Sequence, residues 1–384
     1  MRVLRRAKRL VGRVEAIALH KSGLPYNVRR SIGLVTGPAP RVGYLGFAGR
    51  GNAGDDSILL AHERSLDGIP LAMLPLEWDR QALSLLGQVR RRPLHAGVLV
   101  GGGTLVGRYP WRTRLERALK VGAGPLAFTG VGVEDPSFVG AAWHTDENEL
   151  LRWADVLDSA SHLTVRGPRS AEILHDIGIE APVVSDPALL LGPEARDDNV
   201  VRPKLLGVNI ADPEDQYLET GSRVFDECVP ALRKLQASGW TVRLLPFDRK
   251  DLVVAQRARR ALDDGTEIMS RFQDIDALLR SIAECDVLVG QRLHSVVLAA
   301  AVAVPAVAID YRPKCRDFQL SIGREEWTVS TIDITTAVML DMVIALHERR
   351  AYHAERIQVE VARAKLALRA GEEELQRLYG TMPS

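Results

Sequence analysis

Three basic side chains follow two apolar runs that we predict as neighbouring strands. Arg292 and His294 come just after the run 287–289, and Lys314 comes just after the run 306–309. The Ala- and Val-rich segment between the two runs predicts a buried helix, so this stretch predicts a strand–helix–strand unit of a parallel sheet. Because ligands of such sheets bind beyond the carboxyl ends of the strands, we expect the three side chains to converge on one anion.

Each of these side chains also has an ordinary interpretation. Arg292 and Lys314 could be solvated loop charges, because loops are polar by default, and His294 could be a satisfied core histidine. The presence of all three at one sheet edge, within an otherwise apolar stretch, favours a site. Gln291 directly precedes Arg292 and belongs to the same candidate site.

A glycine-rich turn follows the first predicted strand, 42–45. Gly49, Gly51 and Gly54 have the spacing of a dinucleotide-binding turn, and Glu77 lies near the spacing of a ribose-binding acid. A single match of this kind is weak evidence for a dinucleotide site.

Asp55 and Asp56 argue against a dinucleotide at this turn. Both would lie at the N-terminus of the following helix, where a pyrophosphate needs free N–H groups and positive potential. A carboxylate pair beside open backbone suits the neutral hydroxyls of a sugar better. Asp55 alone also has the simpler interpretation of a helix N-cap.

Alternating strands and helices predict the fold class. We predict two Rossmann-like, doubly wound α/β domains that face a cleft, in a GT-B-like arrangement with a C-terminal helix. The predicted strands are 42–45, 71–76, 97–100, 125–133, 163–165 and 183–184 in the first domain, and 205–210, 241–245, 267–269, 287–289 and 306–309 in the second. The predicted divisions are a basic N-terminal arm (1–40), the N-terminal domain (41–195), a linker (196–204), the C-terminal domain (205–345) and the C-terminal helix (346–384).

Length and composition exclude several classes of protein. The 384 residues, 46% of them hydrophobic, are enough for two domain cores, and a formal net charge of +1 argues against a dedicated nucleic-acid binder. Three widely spaced cysteines, Cys228, Cys285 and Cys315, exclude a disulfide framework and a cysteine-based zinc site and favour a reducing cytoplasm. We expect Cys315, which lies between two basic residues, to be structural rather than catalytic. No apolar run is long enough to span a bilayer.

The N-terminal arm combines basic residues with an apolar stripe. Its basic residues are Arg2, Arg5, Arg6, Lys8, Arg9 and Arg13. At helical spacing they flank apolar residues such as Leu10 and Val14, a pattern that suits the surface of an anionic membrane. A solvated helix packed on its own domain explains the pattern equally well, so peripheral membrane contact through the arm stays an open prediction.

The stretch that contains Arg292 and His294 resembles the C-terminal signature of the polysaccharide pyruvyl transferase family. The shared pattern is Arg-Leu-His-Ser, an Ala-rich helix, Val-Pro-Ala-Val-Ala-Ile-Asp-Tyr-Arg-Pro-Lys and then Phe318. Further motifs resemble the family in the expected order, namely Asn52-Ala53-Gly54-Asp55-Asp56, Gly101-Gly102-Gly103-Thr104-Leu105, Val165-Arg166 with Ser170 and Asp186-Pro187, and Gly207-Val208-Asn209. One departure is Gly167-Pro168 after Arg166, where an acidic residue is common in the family.

This resemblance implies an enzyme that moves pyruvate from phosphoenolpyruvate onto a sugar as a ketal. The acceptor would be a sugar of a bacterial cell-surface polysaccharide or of its precursor, which could be lipid-linked, and we expect no cofactor and no metal ion. Phosphoenolpyruvate carries a phosphate and a carboxylate, so Arg166, Arg292 and Lys314 are its predicted ligands, mainly on the side of the C-terminal domain. A lipid-linked acceptor would place this cytoplasmic protein at the inner face of the cell membrane.

The implied reaction also assigns roles to the acidic groups. His294 is the predicted acid that protonates the methylene carbon of phosphoenolpyruvate, and Arg292 and Asp55 complete the predicted catalytic set. Asp55 or Asp56 would orient or deprotonate the sugar hydroxyls. The remaining predicted substrate-binding residues are Gly51, Asn52, Gly54, Gly102, Gly103, Thr104, Asp186, Asn209 and Gln291.

Three other functions compete with this interpretation. A GT-B glycosyltransferase that uses a nucleotide sugar is the main alternative, but retaining members of that class commonly carry two glutamates in the C-terminal unit, and residues 287–318 contain none. A non-catalytic saccharide-binding module would not need His294 beside three cations. A nicotinamide-dependent oxidoreductase is disfavoured by the carboxylates of Asp55 and Asp56.

Overall fold

A computed structural model describes residues 42–74, 95–138, 147–193, 204–211 and 221–380. The predictions for the basic N-terminal arm, for Glu77 and for most of the linker 196–204 lie outside these residues. Within the described residues the chain forms two parallel sheets with helices packed on them.

The first sheet contains the strands β1 (Val42–Leu45), β2 (Leu71–Met73), β3 (Gly97–Gly101), β4 (Thr104–Val106), β5 (Leu126–Val133) and β6 (His162–Val165). Their order is β2-β1-β3-β5-β4, and β6 also pairs with β5. The helices of this part are α1 (Ala53–Ser65), α2 (Tyr109–Leu119), α3 (Glu147–Asp158) and α4 (Pro168–His175), followed by a 3₁₀ helix (Pro187–Leu191).

The second sheet contains the strands β7 (Leu205–Asn209), β8 (Thr241–Leu244), β9 (Glu267–Ile268), β10 (Val287–Gly290), β11 (Ala306–Asp310) and β12 (Thr328–Ser330), in the order β12-β11-β10-β7-β8-β9. Its helices are α5 (Gly221–Ala237), α6 (Arg249–Arg260), α7 (Ile275–Ala283), α8 (Leu293–Ala301), α9 (Pro313–Ser321) and α10 (Thr336–Glu348), and the long helix α11 (Arg350–Gly380) follows. All described strand pairs in both sheets are parallel, which confirms the predicted α/β class.

The structure corrects the predicted strands at three places. The segment 183–184 is not a strand, because Val183 forms only an isolated bridge to Val165. Strands β4 and β12 were not predicted, and each has only three residues, too few to show a periodic pattern. The predicted C-terminal helix is preceded by a separate helix, α10.

The apolar runs become strands because both faces of these sheets are covered. Every residue of β1, β3, β5 and β10 is buried, as parallel strands with helices on both sides require. All nine residues of α8 are buried as well, and its seven apolar residues share one core with Ala53 and Ile58 of α1. The two sheets are therefore joined by a common apolar core.

Helix α11 returns from the second sheet to the first. The hydroxyl of Tyr379 donates to the carbonyl of Val98 at 2.8 Å, and Glu372 contacts the buried Nδ1 of His62 at 2.8 Å. These buried contacts tie the end of the chain to the first sheet. Among the described helices, none combines the length and the apolar character that crossing a membrane requires.

Candidate active site

The centre of the candidate site is the carboxylate of Asp186, which lies between Arg166 and His294. Its Oδ2 atom is 3.7 Å from Nη1 of Arg166 and 3.6 Å from Nε2 of His294, and Asp186 is completely buried. Burial acts to raise the pKa of Asp186, but the charges of His294 and Arg166 and the N–H group of Ala188 outweigh burial and lower it. The carboxylate therefore stays ionised between a guanidinium and an imidazole.

Arg166 reaches this position from the end of β6. Its backbone N–H donates to the carbonyl of Val131 at 2.9 Å, and its Nη2 atom donates to the hydroxyl of Thr104 at 3.1 Å. Gly132 leaves room for the guanidinium, because a Cβ atom there would lie 2.5 Å from Nη2. The structure thus brings the predicted residues Arg166, Thr104 and Asp186 together.

Some polar atoms in this cluster have no hydrogen-bond partner within the described part of the chain. They are Nε and Nη1 of Arg166, Nε2 of His294 and Oδ2 of Asp186, all buried. Buried polar atoms are normally satisfied, so unpaired donors at one point indicate a place for a ligand. An anion with several oxygens fits the donors of Arg166 best.

We call the parts of the molecule built on the first and the second sheet its first and second halves. His294 lies in the first turn of α8, in the second half, and packs against the start of α1, in the first half. A Cβ atom added to Gly54 would lie 2.2 Å from Nδ1 of His294, so only glycine permits this approach. The two sheets therefore build the site jointly, with the imidazole from one side resting on the backbone from the other.

Asp55 follows Gly54 in α1 and faces the same cleft. Burial raises the pKa of Asp55, and the negative charge of Asp186 raises it further. His294 and Lys314 act in the opposite direction and lower the pKa of Asp55, but they do not outweigh burial. Asp55 consequently keeps its proton to a higher pH than an ordinary aspartate does.

The glycine-rich turn before α1 differs in detail from the prediction. The helix begins at Ala53 and its N-cap is Asn52, whose side chain accepts from the N–H of Gly54 at 2.9 Å. Asp55 is therefore not the cap. Asp56 accepts a hydrogen bond from the N–H of Gly49 and so closes the turn.

The predicted substrate-binding glycines lie close to the site. Gly51 is buried under a loop of the second half, since a Cβ atom there would be 3.2 Å from Nε2 of Gln273. Gly102 and Gly103 have φ angles of 59° and 75°, which favour glycine. A Cβ atom on Gly103 would lie 3.9 Å from a carboxylate oxygen of Asp55, so this turn borders the same cleft.

Arg292 is bound by a residue that sequence reasoning missed. Nη2 of Arg292 donates to Oδ1 of Asp251 at 2.8 Å, and Nε donates to the same oxygen at 3.2 Å. Asp251 is completely buried in the first turn of α6 and also accepts from the N–H of Phe247 at 3.1 Å. The available signal was an acidic residue at the start of a helix beyond the end of a strand, β8.

Asn209 and Gln291 hold the ends of neighbouring strands together. The side chain of Asn209 accepts from the N–H of Arg292 at 2.8 Å and donates to the carbonyl of Leu245 at 2.9 Å. The side-chain oxygen of Gln291 accepts from the N–H of Ala211 at 2.8 Å. Both amides thereby fix the loop from which Arg292 and His294 project.

Lys314 and Cys315 lie at the start of α9. The Nζ atom of Lys314 is 5.1 Å from the ring centroid of Tyr311, a cation–π distance. Cys315 is buried, and burial raises the pKa of its thiol to about 12, so the sulfur is protonated at neutral pH. The role of Lys314 as a substrate ligand and that of Cys315 as a structural residue stay predictions.

Together these groups can perform acid–base chemistry on an anionic substrate. His294 provides a protonatable imidazole held beside an ionised carboxylate, and Arg166 and Lys314 provide positive charge. Asp55 adds a carboxyl group on the opposite wall. Within the described ranges, no group of three His, Cys, Asp or Glu side chains could hold a metal ion.

The chain matches a known protein family. Residues 37–313, well over half of the 384 residues, match the sequence profile of a family described as polysaccharide pyruvyl transferase.

Several solved structures share the fold at low identity. A UDP-glucosyltransferase from Polygonum tinctorium has a TM-score of 0.55 and 14% identity, with 90% of this chain and 100% of that chain covered. A putative UDP-N-acetylglucosamine 2-epimerase from Listeria monocytogenes has a TM-score of 0.53 and 12% identity, with 83% and 91% covered. MnaA of S. aureus in complex with UDP has a TM-score of 0.52 and 13% identity, with 82% and 89% covered. These likenesses concern the fold alone, and they confirm the predicted GT-B-like architecture.

Proposed function

The chain belongs to the polysaccharide pyruvyl transferase family, and we propose that it moves pyruvate from phosphoenolpyruvate onto two hydroxyls of one sugar as a ketal, with release of phosphate. The acceptor we propose is a sugar of a bacterial cell-surface polysaccharide or of its lipid-linked precursor. The observation that carries the proposal is the buried Asp186 carboxylate between Arg166 and His294. It combines an anion-binding guanidinium with a proton donor at one point.

Arg166, Lys314 and Arg292 are the proposed ligands of phosphoenolpyruvate. Arg166 is supported by its two buried nitrogens without a hydrogen-bond partner among the described residues. Lys314 is supported by its electrostatic effect on Asp55, whose pKa it lowers. Arg292 shares its charge with Asp251, so we propose that it contributes directed N–H groups rather than net charge.

The proposed reaction begins with protonation of the substrate's methylene carbon by His294. The neighbouring carbon becomes electrophilic, and the first sugar hydroxyl adds to it while Asp55 receives the hydroxyl proton. Phosphate then leaves and the second hydroxyl adds to the same carbon. Of the two hydroxyl protons, one replaces the proton that His294 gave to the new methyl group and the other departs with phosphate.

Asp186 has a supporting part in this mechanism. Its lowered pKa keeps it ionised, and an ionised carboxylate 3.6 Å from Nε2 stabilises the protonated imidazole that must donate. We therefore propose that Asp186 orients Arg166 and His294 rather than binding the sugar.

A phosphate-release assay with phosphoenolpyruvate and a panel of bacterial glycan acceptors tests the proposal. We expect phosphate release only with a suitable acceptor, and we expect this release to persist when a chelator is present. The product should contain an acid-labile pyruvate ketal. The same panel with UDP-sugars tests the glycosyltransferase alternative, which the fold alone would also permit. Turnover of a UDP-sugar without turnover of phosphoenolpyruvate would contradict the proposed function.

We further propose that the protein works in the cytoplasm at the inner face of the membrane, with the basic arm as its contact. Each of the six basic residues would add on the order of 1 kcal/mol at an anionic surface, and salt would screen the effect. Cosedimentation with anionic vesicles at low and high salt, with and without residues 1–22, measures this contribution. Equal vesicle binding by both forms would refute the membrane contact.

A further inference from the structure

A carboxylate from the second half of the molecule occupies the start of a helix in the first half. Asp317 of α9 is buried, and it accepts hydrogen bonds from the N–H of Arg169 at 2.8 Å and from the hydroxyl of Ser170 at 2.6 Å. Both donors lie in the first turn of α4, where the helix dipole favours a negative charge. The hydroxyl of Ser170 also accepts from the N–H of Val133 at 3.1 Å, which extends the contact to the end of β5.

The turn before α4 is shaped for this carboxylate. A Cβ atom on Gly167 would lie 2.1 Å from Oδ1 of Asp317 and 2.5 Å from its backbone oxygen. Any side chain at position 167 would therefore push α9 away. The missing side chain of Gly167 lets an acidic group from the other half reach the turn that follows Arg166.

Other polar contacts join the same two surfaces. The side chain of Arg312, just before α9, binds the buried carboxylate of Glu134. The hydroxyls of Ser185 and Ser321, at the other end of α9, are 2.9 Å apart. The whole length of α9 is thus fastened to the first half of the molecule.

The two ends of this contact lead directly to proposed substrate ligands. Arg166 precedes Gly167, and Lys314 lies three residues before Asp317 on α9. Arg166 comes from the first half of the molecule and Lys314 from the second, so both face one anion only when the two halves are closed on each other.

We infer that Asp317 is a positioning residue that couples closure of the cleft to assembly of the phosphoenolpyruvate site. By holding the turn 167–170, it fixes Arg166 opposite Lys314, and the bound anion in turn favours the closed arrangement. The inference rests on the proposed function, since it names phosphoenolpyruvate as the anion.

Asp317→Asn removes the charge and keeps the size of the side chain. We expect KM for phosphoenolpyruvate to rise about tenfold, because a hydrogen-bonded buried charge is lost, while kcat stays within about threefold. Hydrogen exchange of the segment 166–175, with and without inorganic phosphate, provides a second readout. Phosphate should slow exchange in the wild type and leave it unchanged in Asp317→Asn.

Gly167→Ala and the double variant Gly167→Ala/Asp317→Ala separate packing from charge. The single variant should both destabilise the protein and raise KM, because its Cβ atom meets the carboxylate. The double variant removes the clash with the carboxylate but keeps the one with the backbone oxygen of Asp317, so the melting temperature should recover only in part while KM stays high. The control Arg64→Ala breaks an exposed contact between the halves, with Asp276, and should leave KM unchanged.

The outcomes distinguish failure of the role inferred for Asp317 from failure of the proposed function. Normal KM in Asp317→Asn, or KM restored in the double variant, would overturn the positioning role. An equal response to phosphate in wild type and Asp317→Asn would overturn the coupling as well. If the wild type turns over no phosphoenolpyruvate with any acceptor, the proposed function fails, and the exchange comparison with inorganic phosphate still decides whether Asp317 couples anion binding to closure.

Discussion

Asp186 and Asp55 lie in the same cleft, and burial acts on both carboxyl groups in the same direction, yet their pKa values move apart. Asp186 has Arg166 and His294 within 4 Å and an additional N–H donor, and its pKa is lowered. For Asp55, burial and the negative charge of Asp186 outweigh the opposing effects of His294 and Lys314, and its pKa is raised. Partners at contact distance, rather than burial, decide which carboxylate is a fixed counter-charge and which can exchange protons.

The largest effect is expected from removing His294, the proposed general acid beside Asp186. His294→Ala should lower kcat by about 10²–10⁴-fold, the usual contribution of a general acid. The melting temperature should fall less than in Asp186→Asn, because Arg166 still faces the Asp186 carboxylate after the substitution. His175→Ala, at an exposed histidine paired with Glu180, is the matched control and should retain full activity. Near-normal turnover by His294→Ala would remove the imidazole from the mechanism.

The next effect concerns the fixed counter-charge itself. Because the pKa of Asp186 is lowered in the folded protein, its contribution to stability is present above the unfolded pKa and is lost as the pH falls through the folded pKa. Asp186→Asn should therefore reduce the free energy of unfolding by about 3 kcal/mol at neutral pH, since it leaves the buried guanidinium of Arg166 without its counter-charge. The difference should shrink in acid. Urea unfolding across pH measures it, and a constant difference at every pH would contradict the assigned ionisation.

A smaller effect is expected from crowding the imidazole. Gly54→Ala places a Cβ atom 2.2 Å from Nδ1 of His294, so we expect about a tenfold loss of kcat. Alanine is favoured over glycine inside a helix by about 1 kcal/mol, which offsets part of the strain in the stability measurement. Gly265→Ala, where an added Cβ meets nothing within 4 Å, is the control. Equal activity of both variants would mean that the imidazole need not rest on α1.

The smallest effect is expected from Asp55, the carboxyl group whose pKa is raised. The raised pKa of Asp55 means that its ionised form costs stability, so the wild type loses stability as the pH rises through the folded pKa. Asp55→Asn should raise the free energy of unfolding at pH 8 by about 1 kcal/mol or less, and the gain should vanish in acid, while activity falls. Denaturant titrations at pH 4 and pH 8 give the sign. A destabilised variant at pH 8 would place Asp55 with Asp186 as a second counter-charge.

The parts of this cleft differ in how far the sequence reveals them. Arg292, His294 and Lys314 lie within one short strand–helix–strand stretch, so the prediction that they converge follows from the chain order alone. Asp251 and Asp317 contact residues about 40 and 150 positions away, and no local pattern predicts such contacts. The three-residue strands β4 and β12 were not predicted either, because they depend on pairing with neighbouring strands rather than on their own periodicity.

The glycine-rich turn shows an intermediate case. Its position after β1 and before α1 follows from the sequence, and the exclusion of a pyrophosphate from this turn stays a prediction. Assigning Asn52 as the cap, with Asp56 on Gly49, requires the geometry of the turn. The role of Gly54 as the surface on which His294 rests requires the arrangement of the two halves of the molecule.

The central claim is that His294, held by Asp186, protonates the methylene carbon of phosphoenolpyruvate. Its most direct test is the reaction in D₂O with an accepted saccharide, followed by NMR of the methyl group of the ketal. The account predicts a methyl group with one deuterium, because the donated proton comes from a group that exchanges with solvent. A product that retains the unprotonated methylene carbon, or a methyl group without deuterium, would contradict it.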